Sequence, residues 1–191
     1  MNTEVKACIL FGVDSNTARI LQAIVHELHV SYAQLVKKIS VEAGRLPYHM
    51  TIIPDIRSSE SEYVSDIENI LSVLKPFQSS TWVPRVKAIE LAELNDYQLG
   101  ARLKFKAEAP YSITGNRSKN RALIARYSPR FTLDGQPRHI SLISVNGALR
   151  EVDIVKPYLI ELLERYEEVL CKMTLSPQVW VKRSGIWRQY R

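Results

Sequence analysis

Pro47-Tyr48-His49-Met50-Thr51-Ile52-Ile53 and Pro137-Arg138-His139-Ile140-Ser141-Leu142-Ile143 share one seven-residue pattern: proline, any residue, histidine, an apolar residue, a hydroxyl, an aliphatic residue, isoleucine. The second copy places His139 90 residues after His49. Each copy reads as a short apolar strand, and along a strand successive side chains alternate between faces. His49 and Thr51 therefore share one face, and His139 and Ser141 share another. In each half the pattern follows a helical segment and is followed by one.

Working outward from these copies, Val5 to Val13 reads as a buried strand ended by Asp14-Ser15-Asn16, with Asp14 or Ser15 as helix cap. Ile20, Leu21, Ile24, Val25 and Leu28 form the stripe of an amphipathic helix. Val41 to Leu46 reads as a connector, and Leu46 to Ile53 as the strand of the first copy. Ser58 to Ser61 introduces a second helix with Val64, Ile67, Leu71 and Leu74 on one face, closed by Lys75-Pro76. Val83 to Leu94 and Gln98 to Lys106 suggest an antiparallel hairpin. Ala107 to Gln136 is irregular, with a short basic helix from Ser118 to Tyr127. Pro137 to Val145 reads as a strand ended by the turn Asn146-Gly147, Ile154 to Leu170 as a third long helix, and Gln178 to Lys182 as a last strand. Helices alternating with strands, and an adjoining pair of extended runs, give an α+β class with mostly antiparallel sheet.

The chain has 191 residues, 46% hydrophobic and 24% charged, enough to bury one real interior. No apolar run approaches the roughly 20 residues of a membrane-spanning helix, and Ala7 to Val13 lacks the flanks of a signal peptide. Cys8 and Cys171 have no metal or redox spacing, so a disulfide framework and a zinc cluster are not expected. A reducing, cytoplasmic setting is the expectation. The net charge of +6 favours polyanionic partners without choosing among them.

Two imidazoles on either side of a phosphodiester provide metal-free phosphoryl chemistry. One, neutral, accepts a proton from the attacking oxygen, and the other, protonated, supplies one to the leaving oxygen. Hydroxyls such as those of Thr51 and Ser141 can hold the non-bridging oxygens. His29-Val30-Ser31 also fits the bare three-residue motif, but on a helix positions i and i+2 do not share a face. His26 and His29 lack the further ligands a metal site needs.

The double motif resembles that of the 2H phosphoesterase superfamily, named for two His-x-Thr/Ser motifs on strands of two related lobes, and the resemblance runs over most of the chain. It implies a pseudo-symmetric, bilobal fold spanning residues 1–191 as one domain, with antiparallel sheets lining a central cleft and helices outside. It implies that His49 and His139 are the catalytic acid and base, in either order, and that Thr51 and Ser141 bind phosphate. No metal or cofactor is expected. The substrate class is a 2′-linked or cyclic phosphodiester of RNA or of a nucleotide, so the partner is a nucleotide or short RNA and not a membrane. The sequence departs from ligase-type members, many of which carry an arginine where Ser144 stands here. A 2′-5′ RNA ligase therefore ranks below a phosphodiesterase, and a non-catalytic nucleotide- or RNA-binding module is the alternative of a different class.

Secondary candidates each have a plain structural reading. Tyr48 and Arg138 precede the histidines and face away from them by alternation, so either binds substrate phosphate only through a local twist of its strand, against a surface or packing role. Arg126, within the basic run Arg117, Lys119, Arg121, Arg126 and Arg130, can flank a cleft or merely be solvated. Trp180, Trp187, Tyr111 and Tyr127 can stack on a base or pack in the core. Lys182 and Arg183 are further cations if the last strand borders the cleft.

Overall fold

In the computed structural model the described residues are 4–32, 38–39, 46, 48–75, 86–95, 98–105, 112–113, 115–130, 139–146 and 149–190. Elements follow in the order β1 (Glu4–Val13), α1 (Ser15–Tyr32), β2 (Lys38–Ile39), β3 (His49–Ser59), α2 (Tyr63–Val73), β4 (Leu74–Lys75), β5 (Val86–Asn95) and β6 (Gln98–Phe105). Then come β7 (Ser112–Ile113), α3 (Arg117–Tyr127), β8 (His139–Asn146), α4 (Leu149–Arg165), α5 (Glu167–Cys171), β9 (Leu175–Arg183) and β10 (Ile186–Gln189). The fold is α+β, as expected. One sheet has the order β10-β9-β1-β3, a second the order β2-β8-β6-β5, and β4 pairs with β7. All these pairings are antiparallel.

Alternation along β1 assigns the faces of the first sheet. Val5, Ala7, Ile9, Phe11 and Val13 join Leu21, Ile24 and Leu28 of α1, Ile67 and Ile70 of α2, Ile124 of α3 and Leu159 and Leu162 of α4 in one buried cluster. Burying aliphatic side chains of this size is worth roughly 1.5–3 kcal/mol each, so this helix-covered face sets the register. Asp14 is the joint between β1 and α1. Its carboxylate accepts the Thr17 backbone N–H at 2.9 Å, the Thr17 hydroxyl at 2.8 Å and the Thr174 N–H at 2.9 Å. It thus caps α1 and fastens the approach to β9.

The motif strands depart from plain alternation at the same place. Against β1, Leu10 pairs with Thr51 and Ile9 with Ile53, leaving Ile52 surplus. Against β6, Arg102 pairs with Ser141 and Ala101 with Ile143, leaving Leu142 surplus. Both irregularities fall directly after the hydroxyl of the seven-residue pattern. In β3 the bulge lets neighbouring Ile52 and Ile53 both reach the core, each 0% exposed. A second shift follows before Ile56 pairs with Ala7, in the stretch where Asp55 adopts φ +50°.

Several expectations are corrected. Val64 is exposed and Ile70 takes its place on the inner face of α2. Ser58 and Ser59 belong to β3, which runs on past the motif. Leu46 and Tyr48 precede the strand, which begins at His49. The third long helix divides at Tyr166 into α4 and α5. Gln178 to Lys182 is not the last strand, because the turn at Ser184-Gly185 returns the chain as β10. Residues 41–45 of the connector, together with Tyr111, Thr114, Arg138 and Gly147, lie outside the described residues.

Candidate functional site

His49 opens β3 and His139 opens β8. The two strands belong to different sheets, yet they adjoin with Cα atoms within 8 Å. His49 and Thr51 are half-buried while Met50 and Ile52 between and beyond them are in the core. The pair therefore occupies the face of the sheet opposite the helices, as alternation predicts.

Register extends that face across the sheet, because residues directly opposed in antiparallel strands share a side. His49 is opposite Gly12, which is opposite Ser176; Thr51 is opposite Leu10, which is opposite Gln178. Further along come Cys8 with Trp180, then Lys6 with Lys182 on one side and Arg57 on the other. Trp187 of β10 stands opposite Lys182, and the Lys182 ammonium lies 5.9 Å from its ring centroid. Trp180 and Lys182 thus share the face of His49. Lys182 is six strand positions from the Ser176–Gly12–His49 row, about 20 Å at ~3.3 Å per residue.

Next to the His49 row the sheet carries a preformed polar group. The Trp180 indole N–H donates to Gln178 Oε1 at 2.8 Å, and Gln178 Nε2 lies 3.4 Å from Ser176 Oγ. The amide is laid over Gly12: a Cβ there would fall 2.5 Å from Gln178 Nε2 and 2.7 Å from Oε1. Glycine is required by this close approach. Cys8, buried against Trp180, has its thiol pushed up to about 12 by burial, with only a partial offset from the Trp180 backbone. It stays an un-ionised apolar filler.

Around the second motif the register places different chemistry. Lys104 is opposite His139 and Arg102 is opposite Ser141. Glu90 of β5 is in turn opposite Arg102. Leu142 is surplus in this register, and Ser144 pairs with Gly100.

The remaining candidates stand elsewhere. Tyr48 packs against the helix-side core. Its hydroxyl is buried, has no hydrogen-bond partner among the described residues, and is pushed up to about 12 by burial. Arg126 is exposed on α3, 5.7 Å from the ring of Tyr127, whose body packs on the core. Arg183 points to the other face, pairing with Glu60 at 2.9 Å and lying 4.5 Å over the Tyr63 ring. His26 and His29 are exposed on α1.

Sequence reasoning overlooked Gly12, Gln178, Arg102 and Lys104. The first had a signal, since an isolated glycine inside an apolar strand marks a close approach. Gly100, Arg102 and Lys104 also recur with strand period.

No helix among the described residues is long and apolar enough to cross a membrane. No family model matches the chain, and no curated sequence matches it. Among solved structures it is similar to Kluyveromyces marxianus Usb1, with 13% identity over 98% of this chain and 97% of that one and a TM-score of 0.46. It is likewise similar to the same protein with uridine monophosphate, with 13% identity, 97% of each chain covered and a TM-score of 0.48.

Proposed function

We propose that this chain is a metal-independent phosphodiesterase that hydrolyses a 2′-linked or cyclic phosphodiester of RNA or of a nucleotide, using His49 and His139 as its acid–base pair. One observation carries the reading: two copies of one His-x-Thr/Ser pattern open two strands from different sheets, and those strands adjoin. Each copy also has the same surplus residue after its hydroxyl, so the repeat extends from residue types to backbone path. The two copies would line one cleft between the lobes of a single pseudo-symmetric domain.

In this mechanism one neutral imidazole accepts a proton from water as the water oxygen bonds to phosphorus. The other, as imidazolium, donates a proton to the leaving ribose oxygen as its bond to phosphorus breaks. One water is consumed, and the two imidazoles end with exchanged protonation states. Thr51 and Ser141 hold the non-bridging oxygens. Arg102 and Lys104, opposite the second motif, supply positive charge that Ser144 does not.

Which imidazole acts as acid and which as base follows from the orientation of the bound substrate.

The test is a panel of 2′,3′-cyclic nucleotides, 2′,5′-oligoadenylates and cyclic dinucleotides, followed by product mass with EDTA present. Turnover with a bell-shaped pH profile is expected, and its loss in His49→Ala and in His139→Ala. Tight binding with no product over hours would replace the reading with a non-catalytic nucleotide-binding module.

A further inference from the structure

From its placement over Gly12, we infer that Gln178 is a phosphate-recognition residue whose Nε2–H donates to a non-bridging oxygen of the substrate, and that Trp180 and Gly12 exist in their positions to aim it. The inference rests on the proposed phosphodiesterase site and adds a residue to it.

An amide side chain can present either its oxygen or its nitrogen, and here the neighbour decides. An indole N–H only donates, so the atom 2.8 Å from Trp180 Nε1 is the amide oxygen. The nitrogen is therefore the atom nearest Gly12, at 2.5 Å from the site of an added Cβ. Gly12 is the residue directly opposite His49. One Nε2 hydrogen is directed toward Ser176 Oγ at a long 3.4 Å. The other has no partner among the described residues.

A half-buried donor with a spare hydrogen, two strands from His49 across β1, fits an oxygen that only accepts, and phosphate oxygens do. Fixing the amide beforehand also removes the rotamer cost of ordering it at binding. Leu10 opposite Thr51 offers no polar atom of its own side chain, so Gln178, beside Ser176, brings a polar group from β9 to this half of the cleft.

The test compares Gln178→Glu with Gln178→Met in the full chain. Glutamate keeps the length and still accepts the Trp180 N–H, but presents a carboxylate where the donor was; methionine removes the donor without adding charge. Both variants are expected to raise KM about tenfold or more, with glutamate the worse and kcat changed less. Gly12→Ala, which displaces the amide, is expected to follow methionine. Adenosine 2′-monophosphate and inorganic phosphate serve as binding probes, monitored by the 15N–1H signal of the Trp180 indole. Both are expected to move that signal in the wild type and not in Gln178→Glu at the same concentrations.

Unchanged KM in Gln178→Glu, with the indole signal still responding, would overturn the inference. A wild-type protein that turns nothing over but still shows the phosphate-dependent indole shift would sink the phosphodiesterase reading and leave this one standing.

Discussion

The two motif strands start alike and end in different company. β3 and β8 each begin with histidine, place a hydroxyl two residues later and carry one surplus aliphatic residue after it. Across from β3 the neighbouring strand offers Gly12 and Leu10, with Gln178 reaching over the glycine. Across from β8 it offers Lys104 and Arg102. In the proposed mechanism both histidines take part, while an acid and a base call for unlike surroundings. The residue pattern is duplicated and its register partners are not.

The largest expected effect tests the shared half of that comparison. His49→Ala and His139→Ala should each lower kcat by about 10²–10⁴-fold, with Tm within a degree or two of wild type in thermal unfolding. Full activity in either variant breaks the comparison outright.

Next comes the bulge itself. Ile52→Ala, one residue beyond Thr51 and on the opposite side, should cost about 2–5 kcal/mol. That predicts a Tm lower by about 5–20 °C for a chain of this size. Activity per folded molecule should fall far less than in His49→Ala, which separates the two faces of β3.

The unlike half is tested by Lys104→Gln and Arg102→Gln. Each should lower kcat/KM by about tenfold, and unchanged kcat/KM in both variants would remove Arg102 and Lys104 from the proposed site.

The smallest effect concerns the scaffold of the first motif's sheet. Burial alone would raise the Asp14 carboxyl, but the donors on Thr17 and Thr174 outweigh it and hold it below its ordinary 3.8. A depressed carboxylate contributes stability that is fully present at neutral pH and is lost as pH falls through the lowered value. Asp14→Asn should therefore cost about 1 kcal/mol at neutral pH, and its deficit should close below pH 3.8 in acid titrations of unfolding.

Much of this was legible where local chemistry decides. Ile9 and Phe11 alternate into the core, the Leu21–Ile24–Leu28 stripe buries, and Asp14 caps α1 because each signal lies within one turn or one strand. The division of the last long helix at Tyr166 and the return strand at Ile186 to Gln189 were not seen. Val64 and Ile70 exchanged burial because the direction from which the sheet covers α2 is a tertiary fact. The histidine motifs could be read, but not their neighbours. Strict alternation would put Ile53 on the face of His49, and only pairing with Ile9 shows that it turns to the core. Gln178 and Arg102 acquire meaning through residues 166 and 39 positions away, Gly12 beneath the amide and Ser141 across the ladder.

The second register shift in β3 has a consequence of its own for the family of sequences that can adopt this path. Ala7 to Leu10 on β1 is matched by Ile56 back to Thr51, so β3 carries two surplus residues, an even number. Arg57 consequently emerges beside Lys6 on the same side as His49. A one-residue deletion between Pro54 and Ile56 would leave two steps from Ile53 to Ile56, matching the two from Ile9 to Ala7, so the pairing would close without the bulge and Ile56 would stay opposite Ala7. One residue of this stretch can thus be lost without turning the strand over.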